Sequence, residues 1–441
     1  MKAICFLILI PFSIFSQGVK YNLGKYLEAQ ESINNFYGVV LVMRNDTVLL
    51  KKAYGYANRS KNILNNTETK FQIASITKEF TAACILQMEE QGKLKVTDKL
   101  SNYFSGFPMG DSITIHMMLC HISGIKGYWP SRMYYSFTHY SEKKAINYLK
   151  KQKLEFTPGT NTSYCTTSYY LLSLIIEKVS GQTYLEYIAQ HIFQPLKMTN
   201  SGCYAKGIKT DNKAKPAKTM SYGFDISKRE NFNLIAGAGM IYSNVDDLYK
   251  WDRAYYNNSV LSDASKKKKF TTYKSSFGYG ESVDTFQTHY RVRHEGIGEG
   301  YTSCLYHYTN DNVCIVMLCN NGTNTFAMPE ALSAIVFNKP YELPYHHKKI
   351  KIDLLLLDNY VGNYYRKIQD KKYIQVIKKN KKLYLINGNE EGVEMKPESN
   401  TKFFLEDGSD RQMEFVVDAN GKVLQTWLIR GGVKTERIKA L

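Results

Sequence analysis

The stretch Phe71-Gln72-Ile73-Ala74-Ser75-Ile76-Thr77-Lys78-Glu79-Phe80-Thr81-Ala82 organises the reading of the whole chain. It sets a serine and a lysine three positions apart. Residues 77–91 contain no Gly or Pro, carry Ala82, Ile85, Leu86 and Met88 at helical spacing and stop at Gly92, so a helix is expected there. Ser75 would then lie at its first turn, with Lys78 on the same face. Unpaired N–H groups and the partial positive charge of a helix N-terminus favour an oxyanion and a deprotonated amine beside it. A serine hydroxyl with an amine in reach is an activated nucleophile. Ser-x-x-Lys also arises by chance in a lysine-rich chain, so its meaning depends on what the other segments supply.

The chain has 441 residues, 44% of them hydrophobic, enough for one large domain with an appendage or for two domains. Met1-Lys2, the apolar run over residues 3–15 and Ser16-Gln17-Gly18 have the charge, apolar core and small-residue exit of a secretory signal. Export is therefore expected, with residues 1–16 removed and a mature chain starting near Gln17. An uncleaved anchor is the alternative; no later stretch reaches membrane-spanning length. Of eight cysteines, Cys5 falls in the signal, which leaves an odd seven, several in apolar surroundings. They read as small core residues and not as a disulfide framework. Neither their spacing nor that of the nine histidines matches a metal pattern, and no cofactor is expected. The formal charge of +18 invites a nucleic-acid reading, but the lysines are dispersed and only residues 266–269 form a dense run. Solvated surface is the expectation, with some attraction to anionic cell-envelope material.

In chain order, residues 21–35 suggest a short amphipathic helix, and residues 38–43 and 48–55 a hairpin turning at Asn45-Asp46. Residues 113–124 read as a helix ending at Gly124, with His121 as a packed or capping residue. Pro158-Gly159 forces a turn, and the polar loop after it carries Tyr164 ahead of an apolar helix over residues 169–179. Small residues around Ala236-Gly237-Ala238-Gly239 would let backbone approach a site, and Ser243 with Asp246 suggests a capping box. A strand ending in Gly-rich sequence covers residues 291–301, followed by strands over 304–308 and 313–319. Residues 337–351 read as a linker, and residues 352–441, with short alternating runs, as a small antiparallel sheet or barrel.

Ser75-Ile76-Thr77-Lys78, the Tyr164 loop and His294-Glu295-Gly296 fall in the order and approximate spacing of the penicillin-recognising serine hydrolases. Over roughly residues 30–335 the sequence resembles the class C beta-lactamases, D-alanyl-D-alanine carboxypeptidases and related esterases. The resemblance implies an α+β fold: an antiparallel sheet flanked by helices over residues 20–336, with the small C-terminal all-β domain appended. It implies that Ser75 attacks an acyl carbon while Lys78 and Tyr164 relay the proton. The oxyanion would rest on the backbone N–H groups of Ser75 and Ile297. Thr166, His294, Gly296 and Ile297 would contact substrate. Two departures matter. His294 stands where the lactamases carry Lys and would be largely neutral at pH 7, weakening carboxylate recognition. Tyr164-Cys165-Thr166 replaces Tyr-x-Asn, exchanging an amide for one short hydroxyl. Both point to an exported hydrolase of a small-molecule ester or peptide, including peptides with D-amino acids. The alternatives are a beta-lactamase, or a protein that binds cell-wall peptide without turnover.

Overall fold

The computed structural model describes residues 11–127, 141–204, 210–216, 233–298, 300–321, 327–367, 373–388, 392–406 and 410–440. The chain forms two compact units, one of residues 37–322 and one combining residues 1–36 with 323–441.

The first unit is built on a six-stranded antiparallel sheet. Its strands are β1 (Gly38–Arg44), β2 (Thr47–Tyr54), β3 (Ser282–Phe286), β4 (His289–Gly298), β5 (Tyr301–Tyr308) and β6 (Val313–Cys319), in the order β2-β1-β6-β5-β4-β3. The β1–β2 hairpin turns at Asn45 and Asp46, both left-handed at φ 48° and 59°, a conformation those side chains tolerate. β1, β5 and β6 are buried along nearly their whole length, which explains the uninterrupted apolar runs of residues 39–43 and 313–319, whereas β2, at the sheet edge, exposes Lys51 and Lys52. β1 reaches β6 from far away in sequence, with Val39 opposite Leu318 and Leu41 opposite Val316.

Helix α1 (Pro11–Ser32) belongs to the second unit; α2 (Thr77–Glu90) is the central helix of the first. α2 is buried everywhere except at Glu89 and Glu90, because helices cover it on several sides. Among them are α5 (Thr166–Ser180), α6 (Tyr184–Ile188) and α8 (Asp263–Phe270), while α3 (Ile115–Leu119), α4 (Glu142–Leu149) and α7 (Val245–Arg253) complete the helical part. Phe80 on α2 stacks on Trp251 of α7, ring centroids 4.3 Å apart. Glu79, one residue earlier, is also fully buried. Its Oε2 accepts from Trp251 Nε1 at 2.8 Å and Tyr255 Oη at 3.0 Å and lies 3.5 Å from His307 Nε2. The other ring nitrogen of His307 meets Asp252 Oδ1 at 2.7 Å, and Arg253 Nε donates to Asp252 Oδ2 at 2.8 Å. A buried charge is tolerable only with partners of this kind.

In the second unit eight strands close a barrel: Gly362–Tyr365, Tyr373–Lys379, Lys382–Asn387, Val393–Pro397, Lys402–Leu405, Arg411–Val417, Val423–Arg430 and Val433–Lys439. Side chains fill its interior, as expected for eight strands; Tyr360 stacks on Phe415 at 4.4 Å with Phe403, Leu385 and Met413 around them. Helix α9 (Met328–Val336) lies in the same unit, and α1 is tied to the barrel by Tyr26 Oη, which donates to the Gly431 carbonyl at 3.0 Å. Helices and an antiparallel sheet in one unit and an all-β barrel in the other give the expected α+β class.

Several element boundaries differ from expectation. The helix expected over residues 113–124 is only α3, because His121 takes a left-handed φ of 62° and the chain leaves the helix. α5 begins at Thr166 and not at residue 169, since Cys165 caps it, its Sγ accepting from Ser168 N–H at 3.3 Å. α7 is capped by Asn244, which accepts from Asp247 N–H at 3.0 Å, and Ser243 instead bonds Ser201 Oγ at 2.8 Å. The seven cysteines among the described residues, Cys84 to Cys319, are free and buried.

Candidate active site

Ser75 does not sit within α2. It occupies a short 3-10 turn, Ala74–Ile76, that runs into the helix without a side-chain cap, and Ala74 ahead of it is held at φ 45°. A left-handed alanine costs about 1–2 kcal/mol, so the surroundings must impose this turn. They do so from β4 and β5: Ser303 Oγ donates to the Ile73 carbonyl at 2.7 Å, and a Cβ on Gly296 would stand 2.3 Å from that same oxygen. Only glycine lets β4 lie this close to the turn.

Lys78, one helical turn on, is fully buried, and its Nζ donates to Ser75 Oγ at 3.1 Å and to the Ala238 carbonyl at 2.8 Å. Burial pushes the amine down to about 7, only partly opposed by Cys165. Ala238 belongs to the small-residue turn Ala236–Gly239, which fits because a Cβ on Gly237 would stand 2.5 Å from the Tyr169 carbonyl. Tyr164, half-buried on the loop before α5, sets its ring 4.9 Å from Lys78 Nζ, and Tyr169 sets another at 5.7 Å.

His294 on β4 brings its ring to 6.2 Å from that of Tyr164. Its Nδ1 lies 2.6 Å from the Glu295 carbonyl, which can only accept, so Nδ1 carries the proton and Nε2 is left with its lone pair. Burial, followed by repulsion from Lys78, pushes this imidazole down to about 4 despite the nearby Glu79 and Glu295. Gly296 presses on the Ser75 turn as described, and Ile297, 52% exposed, pairs with Thr302 across β4 and β5. Thr166 opens α5, its N–H donating to the Gly127 carbonyl at 2.9 Å. Ser75, Lys78 and Tyr164 therefore meet around one amine, His294 flanks the phenol, and Gly296 braces the turn. Two contributors were foreseen only in part. The Ala238 carbonyl was foreshadowed by the run of small residues, and His121, read as a packed or capping residue, sets its ring 4.6 Å from that of Tyr164, a placement its position in the sequence did not indicate. A cavity of about 580 Å³ lined by Leu185, Phe193, Met198, Cys203 and Tyr242 involves none of these groups.

The model of the family described as Beta-lactamase matches residues 28–336, well over half of the chain. The chain belongs to the Beta-lactamase family. It is a serine hydrolase related to the penicillin-binding proteins. Penicillin-binding protein 4* of Bacillus subtilis (strain 168) is 29% identical over 426 residues, 88% of this chain and 92% of the relative. The putative penicillin-binding protein PbpX of the same organism is 31% identical over 333 residues, 72% of this chain and 79% of its own length. Among solved structures, a penicillin-binding protein from Bacillus halodurans superimposes with a TM-score of 0.61 at 25% identity, covering 71% of this chain and 98% of that one. No helix among the described residues is long and apolar enough to cross a membrane.

Proposed function

We propose that this Beta-lactamase-family protein is exported and hydrolyses an ester or a peptide, including peptides with D-amino acids, through an acyl-enzyme on Ser75. The observation that carries the reading is the 3.1 Å contact between Ser75 Oγ and a lysine amine whose burial brings it down to about 7. Near neutral pH such an amine is partly unprotonated and can take the serine's proton. Ser75 Oγ bonds to the substrate acyl carbon, and its proton passes to Lys78 Nζ. The oxyanion rests on the N–H groups of Ser75 and Ile297. As the bond to the leaving group breaks, the proton moves from Lys78, by way of the Tyr164 hydroxyl, to the departing oxygen or nitrogen. Water then attacks the acyl carbon, gives a proton back along the same path and releases the acid with Ser75 restored.

Substrate preference follows from His294. A neutral imidazole with its only N–H committed to the Glu295 carbonyl presents no cation to a substrate carboxylate. Uncharged esters and amides, or peptides whose carboxylate lies elsewhere, suit this edge better, and Thr166 adds a single hydroxyl. The names of the relatives favour penicillin as an acylating ligand, which makes beta-lactam turnover the second reading.

The test is a fluorophosphonate and a fluorescent penicillin, with the labelled peptide identified, together with rates on p-nitrophenyl acetate, nitrocefin and D-alanyl peptides. Labelling at Ser75 with ester or peptide turnover above that of nitrocefin is the expected result. Labelling without turnover of any substrate would favour a binding protein, and fast nitrocefin hydrolysis would favour a beta-lactamase. Absence of labelling at Ser75 would overturn the reading.

A further inference from the structure

One residue that touches none of the reacting atoms brackets the Tyr164 loop from both sides. The His121 carbonyl accepts from Ser163 N–H at 3.0 Å and its Nδ1 accepts from Cys165 N–H at 3.0 Å, so the backbone on either side of Tyr164 hangs on a single histidine. Other bonds join the same segments, but none of these reaches Ser163 and Cys165 together: the carbonyls of Ile122, Gly124 and Gly127 accept from the N–H groups of Gly159, Glu155 and Thr166 at 2.8, 2.8 and 2.9 Å, and Gly127 N–H donates to Glu155 Oε1 at 3.2 Å. His121 also lays its ring against that of Tyr164 at 4.6 Å and 36°, with Phe277 edge-on behind it at 4.8 Å and Tyr169 at 5.3 Å.

Two features argue against a mere filler. The residue holds a left-handed φ of 62°, which a histidine adopts at some cost and a bulky apolar residue more rarely. Because Nδ1 is an acceptor, the proton sits on Nε2, and that buried Nε2 has no hydrogen-bond partner. An orphaned buried donor costs about 1–3 kcal/mol, which an apolar side chain would avoid. What an apolar side chain would lose is the bond to Cys165.

We propose that His121 is a positioning residue that, as a neutral imidazole, fixes Tyr164 over the Lys78 amine. The inference rests on the reading of Ser75, Lys78 and Tyr164 given above. The groups that face Lys78 are Ser75 Oγ, the Ala238 carbonyl and the rings of Tyr164 and Tyr169, with Cys165, His121 and His294 acting on it or responding to it at longer range. Loosening Tyr164 would admit water to this group and return the amine toward its ordinary, higher proton affinity.

The experiment compares the full chain with His121→Phe, His121→Ala and His121→Asn, counting active sites by exhaustive Ser75 labelling. Asparagine tolerates a left-handed backbone, and its Oδ1 stands near the place of Nδ1, so it can accept from Cys165. In Phe and Ala, kcat per labelled site should fall on the order of 100-fold, the cost of a misplaced catalytic group, with KM changed less than about threefold. The acid limb of kcat/KM should move to higher pH. Asn should recover to within about tenfold of the wild type. A purely structural role would lower the melting temperature and the labelled fraction but leave kcat per site and the acid limb where they are. That result, or an Asn variant no better than Phe, would overturn the inference. Loss of all Ser75-dependent turnover in the wild type would instead overturn the reading on which it rests.

Discussion

At the scale of single residues, the site works by choosing what surrounds an amine and an imidazole. With Lys78 down to about 7, kcat/KM for a neutral ester should rise with pH through that value as the amine loses its proton. A pH–rate profile flat from 5 to 9 would remove Lys78 as the base. Ser75→Ala should abolish labelling and leave the melting temperature nearly unchanged, and Lys78→Ala should lower acylation about 1000-fold or more. His294→Lys should raise the preference for carboxylate-bearing over neutral substrates, and His294→Glu should lower it. Ratios of kcat/KM for a paired neutral and anionic substrate decide this. The Ser75, Lys78 and His294 positions were legible because their chemistry is carried by side-chain identity and spacing. His121 was not, because its role comes from a backbone conformation and a long-range bond that leave no periodic mark.

At the scale of elements, the Ser75 turn is held by contacts from strands more than two hundred residues further along. Gly296→Ala would place a methyl 2.3 Å from the Ile73 carbonyl, so either β4 or the turn must shift. Overpacking of this kind costs about 1–3 kcal/mol, and activity should fall far more than stability; equal, small changes in both, measured by calorimetry and ester turnover, would contradict the bracing role. Asn244→Ala, by contrast, removes only a cap, so about 1 kcal/mol of stability should be lost with kcat unchanged. Short apolar runs bounded by turn residues, such as β1 ahead of Asn45-Asp46, were readable from pattern. The last barrel strand, Val433–Lys439, was not: none of its side chains is buried, so its sequence lacks the apolar alternation that betrays a strand. Helix starts moved where the cap was an unexpected residue type, as with Cys165, whose thiol is pushed up to about 11 mainly by burial and therefore caps as a neutral group.

At the scale of the molecule, the buried set of Glu79, His307 and Asp252, with half-buried Arg253 beside it, makes folding stability depend on pH from both sides. Burial alone would raise Glu79, but His307 and Lys269 outweigh it and hold the carboxyl below its ordinary 4.5. Its contribution is present above that value and lost as pH falls through the depressed one. Burial likewise would lower His307, but its bonds to Asp252 and Glu79 raise it above 6.5, so its contribution is complete below 6.5 and lost as pH rises through the raised value. Stability should peak between about 4.5 and 6.5 as far as this set is concerned. His307→Gln should flatten the alkaline side of the melting-temperature profile, and an unchanged slope there would show that the set is not the cause. The six-stranded sheet has a further consequence for how the enzyme comes into being. Val39 meets Ala53 across the hairpin at once but finds its other neighbour only at Leu318, so a growing polypeptide must be extended by roughly 280 positions, about 15–60 s of synthesis, before the first strand is flanked on both sides. Until then the serine that leaves the ribosome early has no bed to rest on, and the newborn chain is chemically silent.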